Sequence, residues 1–396
     1  MAYSLGTLTA YVKQNADMLA VASVMGGKTA KMMTPMLDVK SSATINIMDS
    51  DAVFQADTTC AFNASGTTTI TQRTITVGRV KVEEATCQKD FEAYYTQQKL
   101  KAGGTYTDML YAADYTNLKV AKIQYQNELG IWQGDTNSGT NNLSYYDGLI
   151  KLIDAAYVGT LTGSVTNVNA KKLSGTAAVT NGSGTVTGTS TLFTTELAVG
   201  SKVGIVGVLY TVTAIASATS MTVTAVYAGT TASGLSITGV NAANENFAAP
   251  ITSVTGITTS NALQIAQSIF RAIPQQLIDK SDISIFCGWD FFRTLISQIT
   301  TTNFFAYVTD SAIANGSLMV PGTTLKVEAV AGLTGTNRLY AMRTSGMFLG
   351  TDLMDEEEKF TLIFNPYQGN RGEFTGRFKL GVNVAFPTEV TQFLLA

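Results

Sequence analysis

The sequence predicts an α+β protein interrupted by a small all-β module, and three stretches carry that reading. From Thr105 to Gln133 apolar residues recur at helical spacing. From Glu373 to Phe386 apolar and polar residues alternate, the pattern of a long strand with one buried face. Between Thr160 and Asn244 the only charged residues are Lys171, Lys172, Glu196 and Lys202, and short alternating runs are separated by small polar residues.

The elements follow in order. Leu8 to Met25 predicts a short helix with Leu8, Val12, Leu19 and Val24 among polar neighbours, an arm that must lean on something else. Beyond Pro35, Ala43 to Met48 alternates, with Ile45 and Ile47 on one side. Gly66 to Val82 embeds Ile70, Ile75, Val77, Val80 and Val82 in threonines, and the turn-rich Asp51 to Ser65 lies between the two stretches. Together they predict a long, thin β-hairpin with little core of its own, which is marginal alone in water and usually needs a neighbour.

The long helix opens on Thr105 and Asp108, a capping-box variant with Asp where Glu or Gln is usual. Its apolar face comprises Met109, Leu110, Ala113, Leu118, Val120, Ala121, Ile123, Tyr125, Leu129 and Trp132, and the Gly- and Asn-containing Gly134 to Ser144 ends it. In the low-charge module the runs Lys202 to Ile205, Leu209 to Ile215 and Ser220 to Val226 read as short strands. Mixed sequence resumes after it, which marks an insertion. Asn261 to Ile273 is a helix ended by Pro274, Ile283 to Phe286 a buried strand, and Trp289 to Ile299 a second amphipathic helix. The long strand of the first paragraph closes the chain, with Phe374, Phe378, Leu380, Val382, Val384 and Phe386 inward and Glu373, Thr375, Arg377, Lys379 and Asn383 outward.

Composition limits the function classes. Hydrophobic residues make up 45% and charged residues 14%, a balance that favours completing burial by assembly. No apolar run reaches the ~20 residues of a membrane span. A net charge of −3 announces no general nucleic-acid binder. Cys60, Cys87 and Cys287 are too scattered for a disulfide framework or a zinc site, and Met1 to Ala10 lacks the features of a signal peptide. The chain has no histidine, which removes the commonest general base and metal ligand. The sequence therefore predicts no enzyme, no cofactor and no metal.

Four constellations need a reading. Gly27-Lys28-Thr29 looks like the end of a phosphate-binding loop, but Ala22 stands where its first glycine belongs and a helix precedes it; a helix end followed by Gly-Gly explains it better. Asp352 and Asp355 to Glu358 form an acidic cluster, read as a solvated turn or as an ion-pair partner of Arg371 and Arg377 on a neighbouring copy. Trp132, Trp289, Phe291 and Phe292 lack interleaved cations and read as core. Lys81, Lys89, Lys99 and Lys101 surround the ribbon and give only a weak signal for phosphates or acidic neighbours.

An arm, an extended ribbon, a long helix, a mixed α/β part and a final long strand, in that order, resemble the major capsid protein of tailed double-stranded DNA bacteriophages, the capsid fold shared with herpesviruses. Local echoes are Glu128-Leu129-Gly130-Ile131-Trp132-Gln133-Gly134, then Asp147-Gly148-Leu149-Ile150, and Phe364-Asn365-Pro366 before the strand Arg371 to Pro387. The resemblance implies an N-terminal arm over residues 1–38, an extended loop over 39–88, and a peripheral domain over 89–158. An inserted β-domain would follow over 159–245, then an axial domain over 246–324 and the C-terminal strands of the peripheral domain over 325–396. The insert looks like the threonine-rich β-domains of phage virion proteins. Leu8, Val12, Ile45, Ile47, Ile75 and Val77, together with Asp355, Glu356, Glu357 and Glu358 facing Arg371 and Arg377, are the expected contacts between copies.

The implied partners are copies of the chain in hexamers and pentamers, scaffolding, portal and decoration proteins, and non-specifically bound double-stranded DNA, with no membrane. A fused, cleaved scaffold is not expected, since the arm begins almost at Met1. The place of action would be the virion capsid, assembled in the host cytoplasm. The alternative is another virion or surface-layer subunit, such as a tail tube or adhesin.

Overall fold

The computed structural model describes residues 22, 24–55, 64–87, 108–137, 141–156, 171–206, 208–240, 257–273, 275–302, 310–352, 361–365 and 371–394. Leu8, Val12, the capping residue Thr105 and the cluster Asp355 to Glu358 lie outside them. Two compact units form: residues 1–26, 34–124 and 347–385 make one, and residues 27–33, 125–346 and 386–396 the other.

The first unit is organised by the long strand Arg371–Val384. Its C-terminal half pairs antiparallel with Met347–Thr351 (Met347 opposite Val384), which in turn pairs parallel with Thr34–Met36. Its N-terminal half pairs with Thr361–Asn365 on one edge and with Gly78–Cys87 on the other. Phe374, Phe378, Leu380, Val382 and Val384 are buried, as the alternation requires. Lys379 and Asn383, expected on the wet face, are buried too. Lys379 Nζ lies 2.5 Å from Asp352 Oδ2. Asn383 Nδ2 donates to the Thr74 carbonyl at 2.7 Å, because the hairpin covers that end of the strand.

The hairpin pairs Ser42–Ser50 with Thr68–Thr76. The stretch expected to run unbroken to Val82 instead divides at Val77, and its second part, Gly78–Cys87, joins the sheet of the long strand. The ribbon is therefore anchored at its base.

The long helix is Asp108–Gln133. Thr116, Val120, Ile123, Asn127 and Ile131 form its buried stripe, at steps of three and four residues. Leu118 and Tyr125, counted in the sequence as part of the apolar face, are exposed, so the stripe is narrower than the composition suggests.

In the second unit a five-stranded sheet runs in the order Ser317–Met319, Lys326–Ala329, Ile283–Cys287, Arg338–Arg343, Thr391–Leu394. All five residues of Ile283–Cys287 are buried, as a central strand covered on both faces should be. Helices Ala262–Ala272 and Trp289–Thr301 pack their apolar faces into the same core. Within this sheet Lys326–Ala329 is hydrogen-bonded in parallel to Ile283–Cys287.

The low-charge module is an eight-stranded sheet that pairs with no other sheet among the described residues. Its own core includes Phe193, Val203, Ile205, Val212 and Met221. The first and last strands, Lys171–Lys172 and Ile237–Val240, pair with each other (Lys172 opposite Thr238), so the chain enters and leaves at one place. The buried Glu196 ties down the entering chain by accepting hydrogen bonds from Ser174 N (3.0 Å) and Oγ (2.8 Å).

Candidate assembly interface

Strand geometry sends alternate residues of the hairpin to opposite faces. One face carries Ile45, Ile47 and Ile75, and all three are buried, as is Val77 just beyond it. A Cβ added at Gly350 would sit 2.9 Å from Ile75 Cδ1, so the hairpin lies tight on its own sheet. The expectation that these residues have too little local sequence to bury against is corrected by the anchored base.

The opposite face is open. Thr44 stands across from Thr74, and Gln72 Nε2 donates to Asn46 Oδ1 at 3.0 Å. Next come Met48 and Ile70, directly opposed and 70% and 71% exposed. Ser50 and Thr68 close the ladder with a side-chain hydrogen bond of 2.9 Å. Just beyond, Val53 is 49% and Phe54 99% exposed. The end of the hairpin remote from its anchor thus presents four apolar side chains to solvent. The sequence held one clue to this: Ile70 has the opposite parity to Ile75 and Val77 and cannot share their buried face.

Of the charged candidates, Arg377 is exposed and stands opposite Lys81 in the strand pairing. Lys81 makes an exposed ion pair with Glu83 at 2.7 Å. Arg371 pairs through its backbone with Cys87 and Asn365. The four aromatics read as core behave so: Trp132 is fully buried with its ring 5.5 Å from Phe286 and 5.8 Å from Tyr340, and Trp289 packs edge-on to Phe292 at 5.6 Å. Among the described residues no group of three or more His, Cys, Asp or Glu is arranged to hold a metal ion.

Gly27-Lys28-Thr29 meets side chains and carbonyls rather than forming a phosphate cradle. Lys28 Nζ donates to the carbonyls of Asn315 (2.9 Å) and Gly316 (2.8 Å) and pairs with Glu328 at 2.8 Å. The Thr29 amide donates to both oxygens of Glu128, at 3.2 and 3.1 Å, and its hydroxyl donates to Glu128 Oε1. Trp132 Nε1 in turn donates to the Thr29 hydroxyl at 2.9 Å. Burial pushes the Glu128 carboxyl above its ordinary value, against the opposing pull of the Thr29 hydrogen bonds and Lys28. Burial likewise raises the Tyr146 phenol and the Cys287 thiol, which keeps that free cysteine unreactive.

No family model matches the sequence, and no curated protein matches it. Solved structures do. The procapsid of satellite phage P4 with its size determination (Sid) protein is 9% identical with a TM-score of 0.49, over 100% of this chain and 91% of that one. The capsid of the Myoviridae phage XM1 is 12% identical with a TM-score of 0.38, over 91% of this chain and 89% of that one. The capsid of cyanophage P-SCSP1u is 12% identical with a TM-score of 0.42, over 92% and 86%. The chain is similar to these phage capsid structures over most of its length.

Proposed function

We propose that this chain is the major capsid protein of a tailed double-stranded DNA phage, a subunit that assembles with copies of itself into an icosahedral shell around the genome. The observation that carries the reading is the anchored hairpin with an apolar tip. Burying an apolar side chain of this kind contributes about 1.5–3 kcal/mol, and Met48, Ile70, Val53 and Phe54 are exposed. A second copy that covers them supplies an inter-subunit contact repeated at every position of a shell.

In this reading the extended loop reaches onto a neighbouring copy in hexamers and pentamers. The unit built on the long strand serves as the peripheral part, and the sheet around Ile283–Cys287 as the axial part. The cluster Asp355 to Glu358 meets Arg377 or Arg371 across copies. Scaffolding, portal and decoration proteins are separate chains, DNA is held without sequence preference, and assembly takes place in the host cytoplasm.

The test is sedimentation of the overexpressed full chain beside Phe54→Asp. The wild type sediments as large closed particles, and the variant as folded small oligomers or monomers. Large particles formed equally well by Phe54→Asp would remove the hairpin tip from the assembly contact.

A further inference from the structure

Glu128 is a buried carboxylate whose direct hydrogen-bond partners, among the described residues, all come from one short segment, Gly27–Met33. Gly27 covers it from the other side: a Cβ placed there would lie 2.7 Å from Glu128 Oε2, so the backbone rests against the carboxyl. Lys28, whose charge acts on it, is committed to Glu328 and two carbonyls. The other titratable group facing the carboxyl is Tyr146, whose hydroxyl donates to the Asn127 carbonyl at 3.4 Å. A carboxylate enclosed in this way, with no contacting cation among the described residues, carries a desolvation cost that protonation relieves.

We propose that Glu128 is a proton-operated latch for the segment Gly27–Met33: proton uptake favours the seated segment, and proton loss favours its release. The segment covers both carboxyl oxygens, so lifting it returns Glu128 to water, where the carboxyl ionises freely. Linkage then fixes the sense. The carboxyl binds its proton more tightly when the segment is seated, in accord with the raised value that burial gives it. Seating is therefore strongest below the ordinary carboxylate range, weakens as pH rises through the seated value, and levels off above it. Lys28 holds the segment separately, through Glu328 and the carbonyls of Asn315 and Gly316.

The experiment is amide hydrogen exchange of residues 28–33 in the unmodified full chain from pH 5 to 9, with rates corrected for the intrinsic pH dependence of exchange. The latch predicts that protection falls by up to about tenfold per pH unit across the titration of Glu128, then reaches a plateau. In Glu128→Gln, which keeps an acceptor but cannot ionise, protection stays flat at the acid-side level. In Lys28→Gln it is lower throughout and keeps an inflection, displaced to higher pH because Lys28 no longer pulls the carboxyl down. Protection that is independent of pH in the wild type overturns the latch. So does protection that grows with pH, which would mean that the Thr29 donors to the carboxylate outweigh desolvation. An inflection retained in Glu128→Gln assigns the titration to another group. Should either variant fail to fold, the sense of the wild-type curve alone still decides.

Discussion

Ile70 and Ile75 share one strand of the hairpin but, being an odd number of residues apart, point to opposite faces. Ile75 is fully enclosed and Ile70 is open to solvent, so the same truncation should do different things. Ile75→Ala is expected to cost about 2–5 kcal/mol of stability, the range for a buried large-to-small change. Ile70→Ala should stay within about 0.5 kcal/mol of wild type while weakening assembly. Denaturant unfolding and particle yield measure the two effects, and a large stability loss in Ile70→Ala would contradict the open face. A second residue-scale test lies at Lys379 and Asp352. Breaking a buried pair strands a charge, so Lys379→Met alone should destabilise by about 3–5 kcal/mol. Lys379→Met with Asp352→Leu should recover most of it, and equal losses in the single and double variants would show that the charge of Asp352 is not what matters.

At the scale of elements, the periodicities reported most of what they physically encode. The long strand alternates because one face is core throughout, and the alternation located it to within a few residues. The buried strand Ile283–Cys287 and the helices Ala262–Ala272 and Trp289–Thr301 were legible for the same reason. What periodicity cannot encode is which other element covers an outward face. Lys379 and Asn383 read as wet because nothing local says that the hairpin base closes over them. Likewise, Leu118 and Tyr125 were placed on the helix's buried side by hydrophobicity alone. The division at Val77 was hidden because both halves of Gly66 to Val82 are strands, and only the pairing partner changes. The candidate site was legible in part. The ribbon was located from its alternation, but the burial of Ile45, Ile47, Ile75 and Val77 within the chain was not legible, because periodicity does not say which face another sheet covers.

At the scale of the whole chain, the low-charge module has a sheet that pairs with no other among the described residues, a core of its own, and first and last strands that pair with each other. Excising residues 171–240 in favour of a short Gly-Ser linker should remove one unfolding transition in calorimetry and leave the others in place. Loss of all transitions would mean that the module belongs to the folding core of the second unit. The central claim is that copies of this chain close into a shell through the apolar end of the hairpin. Cryo-electron microscopy of the particles formed by the overexpressed full chain tests it most directly. The account predicts closed icosahedral shells in which Met48, Ile70, Val53 and Phe54 are covered by an adjacent copy. Open tubes, flat sheets, or shells in which those four side chains still face solvent would contradict it.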